Sequence, residues 1–128
     1  AAAVRLTRAL RPTIVVFAAH WCSHCQKEIP VLQDWVDAGR LPADVDMIAV
    51  STAIEPKQPN YPPEEWFARE GWTSPIIVDP TNTVATAYGL TSYPFLTILD
   101  GAGNVYARLV GEVPVSDLEQ ILAAVPRS

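Results

Sequence analysis

Apolar residues arrive along this chain in two rhythms, and their alternation predicts an α/β order. Ile14-Val15-Val16-Phe17-Ala18-Ala19 and Val45-Asp46-Met47-Ile48-Ala49-Val50 are short runs rich in β-branched residues, the pattern of buried strands. Between them Ile29, Leu32, Trp35 and Val36 recur at three- and four-residue intervals, which predicts a helix from about Cys22 to Ala38. Gly39 is placed to end it and Pro42 prevents its resumption, while Pro30 inside it removes one backbone hydrogen bond and is expected to bend it. Strand, helix, strand in this order predicts a parallel pair with a right-handed crossover.

The second half reads differently. Residues 51–63 carry Pro56, Pro59, Pro62 and Pro63 and predict a loop, followed by a short helix over Pro63 to Glu70 that Gly71 ends. Trp66, Phe67 and Trp72 make this segment pack on the body of the fold, at the least as a satellite core. Ile76-Ile77-Val78 is a brief strand, and Asn82 or Thr83 starts a short helix that ends before Gly89. Phe95–Leu99 and Val105–Val110 flank Asp100-Gly101-Ala102-Gly103-Asn104, which predicts a β-hairpin. A last helix is expected to start on a capping box of Ser116 and Glu119 and to present Leu118, Ile121, Leu122 and Val125 on its apolar face.

With 128 residues, 49% of them hydrophobic, the chain reads as one domain over 1–128 that buries about two-thirds of its unfolded surface. Within it, 1–12 is an N-terminal segment and 52–74 an insert after the second strand. A net charge of −5, with no basic run beyond Arg5, Arg8 and Arg11, speaks against a nucleic-acid partner. Those three arginines read as a solvated N-terminal segment, or as the flank of a lost anchor. No stretch reaches the eighteen or so apolar residues of a membrane span, and no signal-peptide pattern is present. The chain starts at Ala, so a mature or trimmed form is expected and the natural protein's targeting stays open.

The two cysteines stand in Trp21-Cys22-Ser23-His24-Cys25, directly after the first strand and where a helix begins. Unpaired N–H groups and the positive end of the helix dipole there stabilise a thiolate, which suits reactivity. A structural bridge over so short a loop would constrain the unfolded chain little. Haem attachment requires His directly after the second cysteine, where Gln26 stands. A metal site could draw on Cys22, Cys25, His24 and His20, but a second Cys/His pair is missing. Redox exchange is the remaining reading. Glu28 lies three residues beyond Cys25 on the stripe through Ile29, Leu32 and Trp35, so it is expected near the second sulfur and toward the core. A carboxylic acid desolvated there holds a raised pKa and is suited to taking the Cys25 proton, whereas a surface glutamate at the helix start is the plainer alternative. His20 reads as a solvated histidine at a loop edge.

The pairing of Trp-Cys-x-x-Cys after a first strand with Tyr93-Pro94 before a later one resembles the thioredoxin superfamily over about Ile14 to Val125. Cys25-Gln26-Lys27-Glu28-Ile29-Pro30, the insert after the second strand, and the stretch Asp79 to Gly101 resemble the TlpA/ResA/DsbE group of extracytoplasmic thiol–disulfide oxidoreductases. The resemblance implies a thioredoxin-like fold with a central mixed sheet flanked by helices. It also implies a cis-Pro94 against the cysteines and a glutamate, Glu28, beneath them. Val16 stands where ordinary thioredoxins carry an aspartate, which favours the subgroup. Two features depart from the group: an N-terminal hairpin is short or missing, and Phe95 follows the proline where a small polar residue is frequent.

In the implied mechanism Cys22 forms a mixed disulfide with a partner and Cys25 resolves it, with no bound cofactor. Tyr93 and Pro94 would seat the partner's backbone, and Trp21 would pack beside the site or serve as an aromatic core residue. His24 is expected to stabilise the Cys22 thiolate as an N–H donor or imidazolium, tilting the pair toward an oxidant, although many group members act as reductants. The expected partners are protein thiols or disulfides, with apocytochrome c or secreted proteins as candidates, and a membrane redox partner. A monomer in the periplasm or cell envelope, membrane-anchored at full length, is the implied setting. A cytosolic thioredoxin-like reductant and a non-enzymatic Cys/His metal carrier remain the alternatives.

Overall fold

The computed structural model describes residues 11–128. Arg5, Arg8 and the segment in which a short or missing N-terminal hairpin was expected lie outside the described residues; Arg11 pairs with Asp46 at 3.4 Å. The elements follow in the order β1 (Thr13–Ala18), α1 (Ser23–Asp37), β2 (Asp46–Ser51), α2 (Pro63–Arg69), β3 (Ile76–Val78), α3 (Thr83–Ala87), β4 (Phe95–Leu99), β5 (Val105–Val110) and α4 (Val115–Ala124).

The five strands form one sheet in the order β3-β2-β1-β4-β5. β1 pairs parallel with β2 and antiparallel with β4, β2 pairs parallel with β3, and β4 and β5 form the expected hairpin. β1 is central, and all six of its residues are buried. Because side chains alternate along a strand, Ile14, Val16 and Ala18 enter one core and Val15 and Phe17 the other. The first core takes α1 through Cys25, Ile29, Leu32 and Trp35, α2 through Trp66 and Phe67, and α4 through Leu118 and Leu122. The second takes α3 through Ala85, with Tyr88 against Phe17. The mixed α/β architecture expected from the sequence is therefore present. Trp66, Phe67 and Trp72 are part of the principal core and not a satellite of it, with the Phe67 ring tilted against both indoles.

The short helix expected to start at Asn82 or Thr83 and end before Gly89 is present as α3, whereas one local reading, at α4, is corrected. The Ser116–Glu119 capping box does not form, because α4 starts at Val115 behind Pro114, which leaves Ser116 inside the first turn. Glu119 instead receives the Trp35 indole N–H at 3.0 Å and Arg40 at 2.7 Å. At α3 the orphan N–H groups of Val84 and Ala85 are satisfied by buried Asp79, at 3.1 and 3.0 Å, and not by Asn82 or Thr83. The hairpin loop is held by Asp100, whose carboxylate accepts from the N–H groups of Ala102 and Asn104. Gly101 has a reason beyond the turn: the Arg127 backbone passes where a Cβ would stand.

Candidate active site

Ala19 follows the C-terminal end of central β1, and the turn after it is closed by the Cys22 N–H donating to the Ala19 carbonyl at 3.1 Å. Cys22 is the residue before the first turn of α1, in extended conformation, and its carbonyl accepts the Gln26 N–H at 3.0 Å. Three residues on, Cys25 faces inward and is fully buried, whereas Cys22 is only half-buried. Both are free thiols. Burial pushes the Cys25 thiol far above its ordinary range, against the opposing effect of the Ala19 N–H, which donates to its sulfur at 3.5 Å. Cys22 and Glu28 add to the upward shift. The two cysteines are thus chemically unequal: one meets solvent at a helix start, the other is held protonated inside.

The Tyr93–Pro94 peptide is cis, as the resemblance implied, and it lies against the pair. The Cys22 S–H donates to the Tyr93 carbonyl at 3.7 Å. Burial raises the Tyr93 phenol, with smaller contributions from Cys25, Asp79 and Cys22. Its ring meets Trp21 edge-on, with centroids 6.3 Å apart. The Trp21 indole N–H donates to the Ala53 carbonyl at 2.8 Å, tying the residue before Cys22 to the segment after β2.

Glu28 is 2% exposed, on the buried stripe with Cys25, Ile29, Leu32 and Trp35 that helical spacing predicted. Its Oε2 accepts the Val113 N–H at 2.9 Å. Burial raises the carboxyl above the ordinary 4.5; the Val113 N–H opposes this, and the neighbouring charge of Glu112 reinforces it. Val16 is buried in the core, where it carries no charge toward the sulfurs.

Both histidines differ from expectation. His24 does not turn its hydrogen bond to Cys22; its exposed ring binds the Glu112 carboxylate through Nδ1 at 2.7 Å. A carboxylate is a far better acceptor than a thiol, and Glu112 is set within reach by the end of β5. His20 is not solvated but fully buried. Its Nδ1–H donates to the Pro59 carbonyl at 2.6 Å and its Nε2 accepts the Glu55 N–H at 3.1 Å, so neither nitrogen is free for a metal. The segment that covers it follows thirty-five and more residues later, and no flanking residue of His20 announces it.

Gly111-Glu112-Val113, which is not among the residues expected at the site, touches three parts of it. The Gly111 N–H donates to the Pro94 carbonyl at 2.8 Å, Glu112 holds His24, and Val113 holds Glu28. Gly111 has φ +82°, a left-handed conformation that favours glycine. A glycine directly after a predicted strand was the one local sign of this turn.

Residues 2–108 match the profile of the AhpC/TSA family. The chain belongs to the AhpC/TSA family. Among curated relatives of this family member, the thiol-disulfide oxidoreductase ResA of Geobacillus thermodenitrificans is 27% identical over 109 residues, 85% of this chain and 60% of ResA. The sporulation thiol-disulfide oxidoreductase A of Bacillus subtilis is 24% identical over 108 residues, 84% of this chain and 64% of the relative. The chain thus spans less than two-thirds of these relatives' length. Among solved structures, StoA from Bacillus subtilis superposes with a TM-score of 0.74 at 23% identity, covering 88% of this chain and 82% of StoA. A secreted Mycobacterium tuberculosis disulfide oxidoreductase homologous to E. coli DsbE superposes with a TM-score of 0.75 at 15% identity, covering 95% of this chain and 86% of that one. The fold of this AhpC/TSA chain is therefore thioredoxin-like, and the ResA- and DsbE-type resemblance is met by these relatives.

Proposed function

We propose that the chain is a thiol–disulfide oxidoreductase that exchanges a Cys22–Cys25 disulfide with protein thiols or disulfides outside the cytoplasm. The observation that carries this reading is the inequality of the two sulfurs: Cys22 half-buried at the start of α1 beside Tyr93-Pro94, and Cys25 buried with its thiol pushed up. ResA and the B. subtilis relative, both named as thiol-disulfide oxidoreductases, support it.

In the reducing direction the Cys22 thiolate attacks one sulfur of the partner's disulfide. A mixed disulfide forms and the partner's other sulfur leaves as a thiolate. Cys25 then loses its proton and attacks the Cys22 sulfur, which closes the Cys22–Cys25 bond and releases the second partner thiolate. Two electrons pass from the protein dithiol to the partner. The oxidising direction is the same sequence reversed. Because burial holds Cys25 protonated, resolution needs a base, and Glu28 in its carboxylate form fills that role. Tyr93 and Pro94 flank the partner's chain, and the Tyr93 carbonyl that receives the Cys22 S–H is open to a partner N–H once Cys22 is bonded.

Names of solved relatives, one of a secreted oxidoreductase and one of a pneumococcal exposed lipoprotein thioredoxin, support an extracytoplasmic setting. Apocytochrome c or secreted proteins are the proposed substrates, with a membrane protein as redox partner. The decisive experiment compares Cys22→Ser and Cys25→Ser with the native protein on a peptide disulfide. Cys22→Ser should lose exchange altogether, and Cys25→Ser should accumulate the mixed disulfide, visible by mass. Full activity in Cys22→Ser would overturn the assignment.

A further inference from the structure

Beside Trp21 lies an open cleft of about 530 Å³, lined by Trp21, Ala53, Ile54, Glu55, Gln58 and Asn82. Its walls are fastened from several sides. Ala53 accepts the Trp21 indole N–H at 2.8 Å, and its own N–H donates to the Asn82 side-chain oxygen at 2.9 Å. The Glu55 N–H is taken by the buried ring of His20. Ala53 and Asn82 both hold left-handed backbone, at φ +50° and +61°, a conformation that costs energy outside glycine and clusters where geometry serves function.

The lining chemistry is selective. Glu55 is the one ionisable side chain in it, and Gln58 supplies a further carbonyl acceptor. Trp21 offers an aromatic ring and Ile54 an apolar wall, both half-buried. A side chain with an aliphatic stem and a cationic head matches this set: the stem lies along Ile54 and the indole, and the head meets Glu55 and Gln58. An acidic side chain would meet Glu55 as a like charge, and an apolar one would leave Glu55 and Gln58 without a partner in the cleft. Because Trp21 directly precedes Cys22, whatever fills the cleft is within a few residues of the sulfur in exchange.

We propose that this cleft binds a lysine or arginine side chain of the substrate polypeptide, close in sequence to the cysteine that bonds to Cys22. The inference rests on the exchange reading above and names the substrate class of that site.

The test uses the Cys25→Ser protein and peptides whose single cysteine is capped with thionitrobenzoate. Cys22 thiolate attacks the peptide sulfur, the Cys22–peptide disulfide forms, the capping disulfide breaks, and thionitrobenzoate leaves as a coloured thiolate while the Cys22 proton passes to buffer. The peptides carry Arg, Gln or Glu at one position, set one to four residues from the cysteine. At the best spacing, Arg is expected to react about five-fold faster than Gln, and Glu more slowly than Gln. Adding Glu55→Gln should reduce the Arg advantage to less than about two-fold. Glu64→Gln, which removes the same charge from the exposed face of α2 away from the cleft, should preserve it. Equal rates for Arg and Gln at every spacing, or an Arg advantage that survives Glu55→Gln, overturn the proposal while exchange stands. Failure of every peptide to transfer overturns the exchange reading and this proposal with it.

Discussion

The Oε2 atom of Glu28 accepts the backbone N–H of Val113 at 2.9 Å, which joins the helix that Cys22 precedes and Cys25 occupies to the turn after β5. The same turn binds the Pro94 carbonyl through Gly111 and His24 through Glu112. One short segment therefore sets the position of Glu28, Pro94 and His24. A hydrogen bond from an N–H favours the carboxylate form, whereas burial and Glu112 favour the acid; burial is the larger, so the Glu28 carboxyl is raised above the ordinary glutamate value.

Glu28 should therefore leave two signatures. Its folded pKa is raised, so its contribution to stability is complete below the ordinary value of 4.5 and is lost as pH rises through the folded value. Glu28→Gln cannot ionise, so its denaturation midpoint relative to the native protein should improve steadily from acid toward neutral pH. Activity should move the other way. Without the carboxylate to take the Cys25 proton, release of the mixed disulfide is expected to slow by about a hundred-fold, with steeper dependence on hydroxide. A resolution rate with an unchanged pH profile in Glu28→Gln would remove the proton role.

His24 is expected to matter less to redox poise than its place inside the motif suggests. Its ring is exposed and bonded to Glu112, and exposed pairs of this kind contribute little. His24→Ala should move the reduction potential of the Cys22–Cys25 pair by less than about 20 mV. Glu112→Gln should act through Glu28 instead: removal of a neighbouring negative charge lowers the Glu28 pKa, so the pH profile of Cys25 resolution shifts toward acid. Glutathione redox titration checks the first, and stopped-flow resolution of a trapped mixed disulfide checks the second. A large drop in potential with His24→Ala would restore a direct interaction with Cys22.

What the sequence disclosed follows the range over which each feature is encoded. β1, α1 and the β4–β5 hairpin are written in local periodicity and turn residues, and they are present close to the expected bounds. Glu28 was legible because a helix fixes which residues share a face with Cys25. His24 and His20 were misread because their partners are distant in sequence: Glu112 lies 88 residues from His24, and Pro59 lies 39 from His20. No local pattern states that a proline-rich loop will fold over a histidine. The capping box failed for a local reason, since Pro114 began the helix before Ser116.

The buried ring of His20 gives the last expectation, because it is the pin between the active-site turn and the segment that walls the Trp21 cleft. It donates to Pro59 and accepts from Glu55, its carbonyl receives Gln26 and Asn60, and its ring meets Tyr61 edge-on at 5.8 Å. His20→Leu keeps most of the volume but strands a backbone carbonyl and a backbone N–H. The loss of stability is expected to be about 2 kcal/mol. The damage should also be local. Hydrogen exchange at the Glu55 amide should accelerate more than at the β1 amides of Val15 and Val16, which are held by strands on both sides. Equal acceleration at both would mean that His20 supports the fold as a whole and does not specifically fasten this segment.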